Sequence, residues 1–128
     1  MTNIDLVRLA AVGRRQAYAP YSGFRVGAAV QTADGVQFSA CNVENGSYGL
    51  TICAERAAAC AAVAAGHKDI VAIAVVAPGG PPPCGACRQF LAEFGSSMTV
   101  LMADADNLEA FRQSTLDHLL PDRFQFGA

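Results

Sequence analysis

The sequence predicts an α/β fold, a three-layer α-β-α sandwich around a mixed sheet of roughly five strands, with residues 1–128 forming one domain. Three observations carry this expectation. Segments with helical and strand-like patterns alternate along the chain in the order helix-strand-strand-helix-strand-helix-strand. Ile70 to Ala77 is an unbroken apolar run of strand length, the pattern of a strand covered on both faces. The chain, at 128 residues, is long enough to bury a core without disulfide staples.

The elements follow in order. Ile4 to Ala19 has apolar residues near the helical period, with Asn3 as N-cap and Pro20 as terminator. Val26 to Thr32 and Val36 to Asn42 read as strands joined by Ala33-Asp34-Gly35, whose Asp-Gly pair is a hairpin signal. Asn42 to Leu50 is polar and turn-rich, a natural binding loop between a strand and a helix. Thr51 to Ala65 is an alanine-rich helix with Gly66 at its end. The Pro78–Pro83 stretch excludes regular structure. Cys84 to Phe94 is a third helix, Thr99 to Ala103 a strand, and Asp104 to Asn107 a loop. Phe111 to Gln113 reads as a short fifth strand, and Thr115 to Leu120 as a last helical turn or two before Pro121. Right-handed crossovers would bring the N-termini of the two cysteine-bearing helices to one end of the sheet.

Composition narrows the partners. Hydrophobic residues make up 52% and charged ones 16%, so either the core is generous or apolar surface lies between subunits. A formal charge of -2, with no run of Lys or Arg, disfavours a nucleic-acid partner and points to a small ligand. No apolar stretch is long enough for a membrane span, and Met1 to Asp5 lacks the basic region of a signal peptide. The expected setting is therefore cytoplasmic. Five cysteines are an odd count, better suited to free thiols and metal than to a disulfide framework. Cys41 and Cys60 read as small buried core residues, and His67 and His118 as surface residues.

Two short stretches concentrate the chemistry. Thr51-Ile52-Cys53-Ala54-Glu55-Arg56 supplies a thiol and a carboxylate two residues apart. Pro83-Cys84-Gly85-Ala86-Cys87-Arg88-Gln89 supplies two more thiols at CxxC spacing. Both open helices, where unpaired N–H groups favour anions and make a thiol easier to ionise. Three thiolates hold Zn²⁺ and leave its fourth position free, the ligand count of a catalytic site; a structural site would need a fourth ligand, such as Cys41 or His67. Arg56 is placed to offset the excess negative charge. A CxxC alone also fits a redox dithiol, but that reading leaves Cys53 and Glu55 without a task.

The pattern Cys-x-Glu…Pro-Cys-x-x-Cys resembles the zinc deaminase signature with cysteine in its first slot. From about Tyr18 to Phe124 the chain resembles the small homotetrameric cytidine deaminases. The resemblance implies Zn²⁺ on Cys53, Cys84 and Cys87, with Arg56 hydrogen-bonded to ligand sulfurs. It implies that Glu55 carries protons from water to ring N3 and to the departing amino group of a cytosine. Asn42 and Glu44 match a ribose clamp, with Val43 turned to the core; without the resemblance they read as a polar turn in which Asn42 caps a strand. Phe24 and Val26 match pocket residues against the pyrimidine, although an isolated Phe there would read as core. Arg25 stands where the family more usually has proline and is expected to face solvent. Ala54 and Cys84 would offer backbone groups to the base. Gly46, Ser47 and Tyr48 match a loop reaching toward a neighbouring subunit's nucleoside, and Phe124 a C-terminal aromatic closing over an adjacent site. The alternative for Phe124 is packing on its own subunit. The implied activity is deamination of cytidine and deoxycytidine in pyrimidine salvage. A related cytosine compound or a polynucleotide is the alternative substrate.

Overall fold

A computed structural model describes residues 2–127. The elements run α1 (Asn3–Arg14), β1 (Gly27–Thr32), β2 (Gln37–Cys41), a single 3-10 turn (Tyr48–Leu50), α2 (Ala54–Ala64), β3 (Ile70–Ala77), α3 (Gly85–Ala92), β4 (Thr99–Asp104), β5 (Asn107–Thr115) and α4 (Leu116–Leu119). The sheet has five strands in the order β2-β1-β3-β4-β5. Only β3 and β4 pair in parallel; the other pairs are antiparallel, so the sheet is mixed as expected.

Each face of the sheet carries its own core. On one side α1 buries Leu6, Val7 and Ala10 against Ala29, Ala74, Val76 and Leu101. On the other, the alanine face of α2 (Ala54, Ala58, Ala59, Ala62) packs with Leu91 of α3 against Ala28, Val30, Ile73 and Val75. Alternate residues of β1 and β3 thus feed opposite cores, which is why β3 reads as one continuous apolar run. Alanine at the contact positions lets the backbone of α2 approach the sheet closely. Among the described residues, no helix is long and apolar enough to cross a membrane.

The topology places the site. Gly27, at the start of β1, pairs with Cys41 at the end of β2 and with Val76 near the end of β3. Those two strand ends lead into α2 and α3, so both helices begin beside the same edge of the sheet. β2-α2-β3 and β3-α3-β4 each join strands of like direction, as the predicted crossovers require.

Several local expectations are corrected. α1 ends at Arg14, not Ala19, and well before Pro20. Tyr18 leaves the helix to exchange backbone hydrogen bonds with the binding loop: its N–H donates to Asn42 O, and its carbonyl accepts from Glu44 N. Tertiary pairing here overrides local propensity. The N-cap is Thr2 rather than Asn3; Thr2 and Asp5 cap each other reciprocally. α2 and α3 start at Ala54 and Gly85, so Cys53 and Cys84 are their N-caps. β5 is nine residues long instead of three, held along its length by β4. Leu108 and Phe111 are its inward apolar contacts, too sparse to betray the full strand. Val43 is 45% exposed rather than turned to the core, because it pairs with Tyr18 and Ile52 outside the sheet. Cys60 is exposed on α2, and Cys41 only partly buried. His67 is partly buried: its ring packs on Phe38, and its Nδ1 lies 3.2 Å from Asp34 Oδ1.

Gly27 is required by the closeness of α1. A Cβ there would overlap the Ala10 carbonyl oxygen and lie 2.6 Å from Arg14 N. Gly27→Ala should therefore lower unfolding stability by about 3 kcal/mol, whereas Gly49→Ala, which meets no atom within 4 Å, should be near neutral in urea denaturation. Hydrogen bonds from the Thr2 hydroxyl and backbone hold the Asp5 carboxyl below its ordinary range. A depressed carboxylate stabilises the fold above its unfolded pKa, and that contribution is lost as pH falls through the folded value. Asp5→Ala should accordingly lower the melting temperature at neutral pH, and the deficit should fade on acidification to about pH 2.

Candidate metal and active site

The N-terminal ends of α2 and α3 bring three sulfurs together. The Sγ atoms of Cys53, Cys84 and Cys87 all lie within 4.8 Å of one another, and those of Cys84 and Cys87 are 3.3 Å apart. Cys84 Sγ also accepts from Cys87 N, so the CxxC turn closes on itself at the helix start. Arg56, in the first turn of α2, donates from Nη2 to Cys53 Sγ at 3.4 Å, and its Nε is buried without a partner. The guanidinium is thereby committed to the sulfur cluster.

Proton affinities around the cluster are unequal. Hydrogen bonding from Cys87, against the cost of burial and with help from Arg56, lowers the Cys53 thiol to about 5. The same bond, together with burial and the nearby Glu55 charge, pushes the Cys87 thiol upward. Cys53 thus ionises readily, whereas Cys87 resists losing its proton. Two like unit charges about 4 Å apart repel by roughly 4 kcal/mol at a protein-like dielectric. Three thiolates this close therefore need a cation. Zn²⁺ fits: tetrahedral Zn–S bonds of about 2.3 Å imply sulfur separations of about 3.8 Å. The charge balance and the spacing agree on such an ion. A redox dithiol would not need the third sulfur.

Glu55 is 5% exposed, and desolvation raises its carboxyl above the usual carboxylate range. It lines a cavity of about 360 Å³ together with Cys53 and Cys84. The cavity's other walls are Phe24 and Val26 from the segment before β1, Asn42 and Glu44 after β2, Thr51 and Ala54 at α2, and Val75, Pro81 and Pro82. Most of the residues singled out from the sequence thus meet in one place. Thr51, Val75, Pro81 and Pro82 were not anticipated; the proline run was the one visible signal for the last two.

Asn42 and Glu44 are tied to the segment that carries Phe24. Asn42 Oδ1 accepts from Val26 N at 2.9 Å, and Nδ2 donates to Phe24 O at 2.8 Å. The Glu44 carboxylate accepts from Tyr21 N at 2.9 Å, from Ser22 N, and from the Ser22 hydroxyl. Those bonds, led by Ser22, keep Glu44 below the ordinary glutamate range and therefore ionised. Val43 and Ile52 exchange N–H···O bonds at 2.9 Å in both directions, which pins Glu44 near Cys53.

The remaining residues lie elsewhere in the chain. Tyr48 is 74% exposed and lines an adjoining cavity of about 280 Å³ with Tyr21, Ser22 and Glu44. Gly46 sits against the Tyr21 hydroxyl. Phe124 is 71% exposed beside α3, where its carbonyl accepts from Gln89 Nε2, and it does not line the metal cavity. Arg25 is exposed as expected, with Nη2 on Arg15 O.

The chain is similar to known proteins over most of its length. Residues 1–103 match the cytidine and deoxycytidylate deaminase zinc-binding region. A cytidine deaminase of Halalkalibacterium halodurans is 46% identical over 122 residues, covering 93% of this chain and 91% of that protein. One of Sporosarcina psychrophila is 47% identical over 115 residues, 87% of this chain and 82% of that protein. The crystal structure of cytidine deaminase from Burkholderia pseudomallei superposes with a TM-score of 0.91 at 46% identity, over 97% of this chain and 100% of that one. With the sulfur cluster, the buried glutamate and the five-stranded sheet all in place, the chain belongs to the zinc-binding cytidine and deoxycytidylate deaminase family.

Proposed function

We propose that this chain hydrolyses the exocyclic amino group of cytidine and deoxycytidine. Water and the nucleoside give uridine or deoxyuridine plus ammonia, a step of pyrimidine salvage. The observation that carries the reading is the convergence of Cys53, Cys84 and Cys87 at a cavity whose wall includes the buried Glu55. Bound to the three sulfurs, zinc supplies the Lewis acid that makes water nucleophilic near neutral pH.

Glu55 is the proton carrier. Burial keeps its carboxyl ready to hold a proton, and its place on the first turn of α2 faces the cavity. It accepts one proton from the attacking water and delivers it to ring N3. It then takes the second proton from the hydroxyl added at C4 and passes it to the amino group, which leaves as ammonia while the C4 carbonyl forms. Arg56 spreads the sulfur charge so that the cluster is not left strongly anionic. Phe24 and Val26 offer apolar contact to the pyrimidine ring, and the backbone of Ala54 and Cys84 offers hydrogen-bonding groups to its polar edge. Asn42 and Glu44 stand beside that pocket as an amide and an ionised acceptor suited to sugar hydroxyls. Their present bonds to residues 21–26 order the pocket's rim, so the clamp and the aromatic wall form one unit.

Assembly extends the reading. Tyr48, Leu50, Val43, Ile52 and Phe124 are exposed apolar residues near the loop or the C-terminal segment. Their exposure supports a homotetramer in which Gly46, Tyr48 and Phe124 reach a neighbouring copy's cavity. The balance of charge, with a net of -2, supports a free nucleoside over nucleic acid, and a cytoplasmic setting suits free thiols.

Purified protein should carry about one zinc per chain. Glu55→Gln should keep that zinc while kcat for cytidine falls about 1,000-fold; metal quantitation beside ultraviolet loss of cytidine reads both. A metal-free but active wild type would remove the proposal. Glu44→Gln should raise KM for cytidine about tenfold with little change in kcat, and should leave the rate on free cytosine unaltered.

A further inference from the structure

Pro81, Pro82 and Pro83 lead directly into the ligand Cys84. Proline nitrogens carry no hydrogen, so this stretch cannot anchor itself through its own amides. Its carbonyls are the available handles. Arg88 takes the one next to the ligand: its Nε donates to Pro83 O at 2.7 Å. Its backbone N–H donates to Cys84 O at 3.0 Å. The two peptide planes on either side of the Cys84 α-carbon are therefore both bonded to one residue. Because peptide units are rigid and planar, fixing both planes fixes the backbone dihedrals that aim the Cys84 sulfur. The same guanidinium donates from Nη1 to Leu119 O at 2.8 Å, at the end of α4. Arg88 is half-buried, and no carboxylate pairs with it among the described residues.

We propose that Arg88 is a positioning residue for the metal, bracketing Cys84 on both sides and bracing it against the C-terminal helix α4. The inference rests on the reading that Cys53, Cys84 and Cys87 hold zinc. Arg56 meets the cluster through a sulfur; Arg88 acts through the backbone of the ligand. The guanidinium fork is needed because two carbonyls from segments 31 and 5 residues away are held at once. A lysine ammonium on a flexible stem is a poor substitute for such a fork.

The test is zinc release from the native, zinc-loaded protein into a chromophoric chelator at fixed pH, beside thermal unfolding of the same samples. Arg88→Gln should release zinc about tenfold faster than wild type or more, the scale seen when partners supporting a ligand are lost. Arg88→Lys should also release it faster, and this variant carries the test if Arg88→Gln does not fold. Gln89→Ala removes only the neighbouring bond to Phe124 O and should release zinc at the wild-type rate. Wild-type release from both Arg88 variants, even with a lowered melting temperature, would overturn the proposal and leave the deaminase reading intact. Equally fast release from Gln89→Ala would also overturn it, by moving the effect to docking of the C-terminal segment. A wild type that binds no zinc would overturn both readings together.

Discussion

Charge balance at the sulfur cluster governs the site. Three thiols converge within one cation's reach; Cys53 ionises readily on its own and Cys87 does not. The protein offsets the gathered negative charge by placing Cys53 and Cys84 as helix N-caps and Arg56 beside Cys53. These devices reduce the cost of gathering negative charge without adding a fourth ligand. Burial meanwhile raises the carboxyl of Glu55, on the cavity wall, above the usual carboxylate range.

The sheet makes this convergence possible. Cys53 and Cys84 are far apart in sequence, yet each follows a strand that ends beside Gly27. β1 can be that common neighbour because α1 presses against it with no side chain at Gly27 between them. The alanine face of α2 does the same on the opposite side. Close packing on both faces of one strand thus sets where two helices begin, and the helix starts set where the sulfurs meet.

Much of this was legible in the chain. The apolar run at Ile70–Ala77, the alanines of α2 and the paired cysteine motifs spoke directly of layers and ligands. Local pattern failed where long-range pairing decides the backbone. Residues 15–19 look helical until Tyr18 finds Asn42 and Glu44 as partners. β5 reads as only three residues because an edge strand with one wet face needs few apolar residues. Asn42 and Glu44 were visible as polar groups, but their hold on residues 21–26 was not, since it depends on backbone atoms distant in sequence. Arg88 was part of a quoted motif, yet its acceptors are carbonyls, which leave no side-chain signature.

The reciprocal bonds between Val43 and Ile52 close residues 44–51 into a loop with fastened ends. Glu44 stands at one fastening and Cys53 just past the other, so their separation does not depend on what lies at the tip. Substitutions at the tip, residues 45–50, would change what a ligand or a neighbouring copy meets there without moving Glu44 away from Cys53.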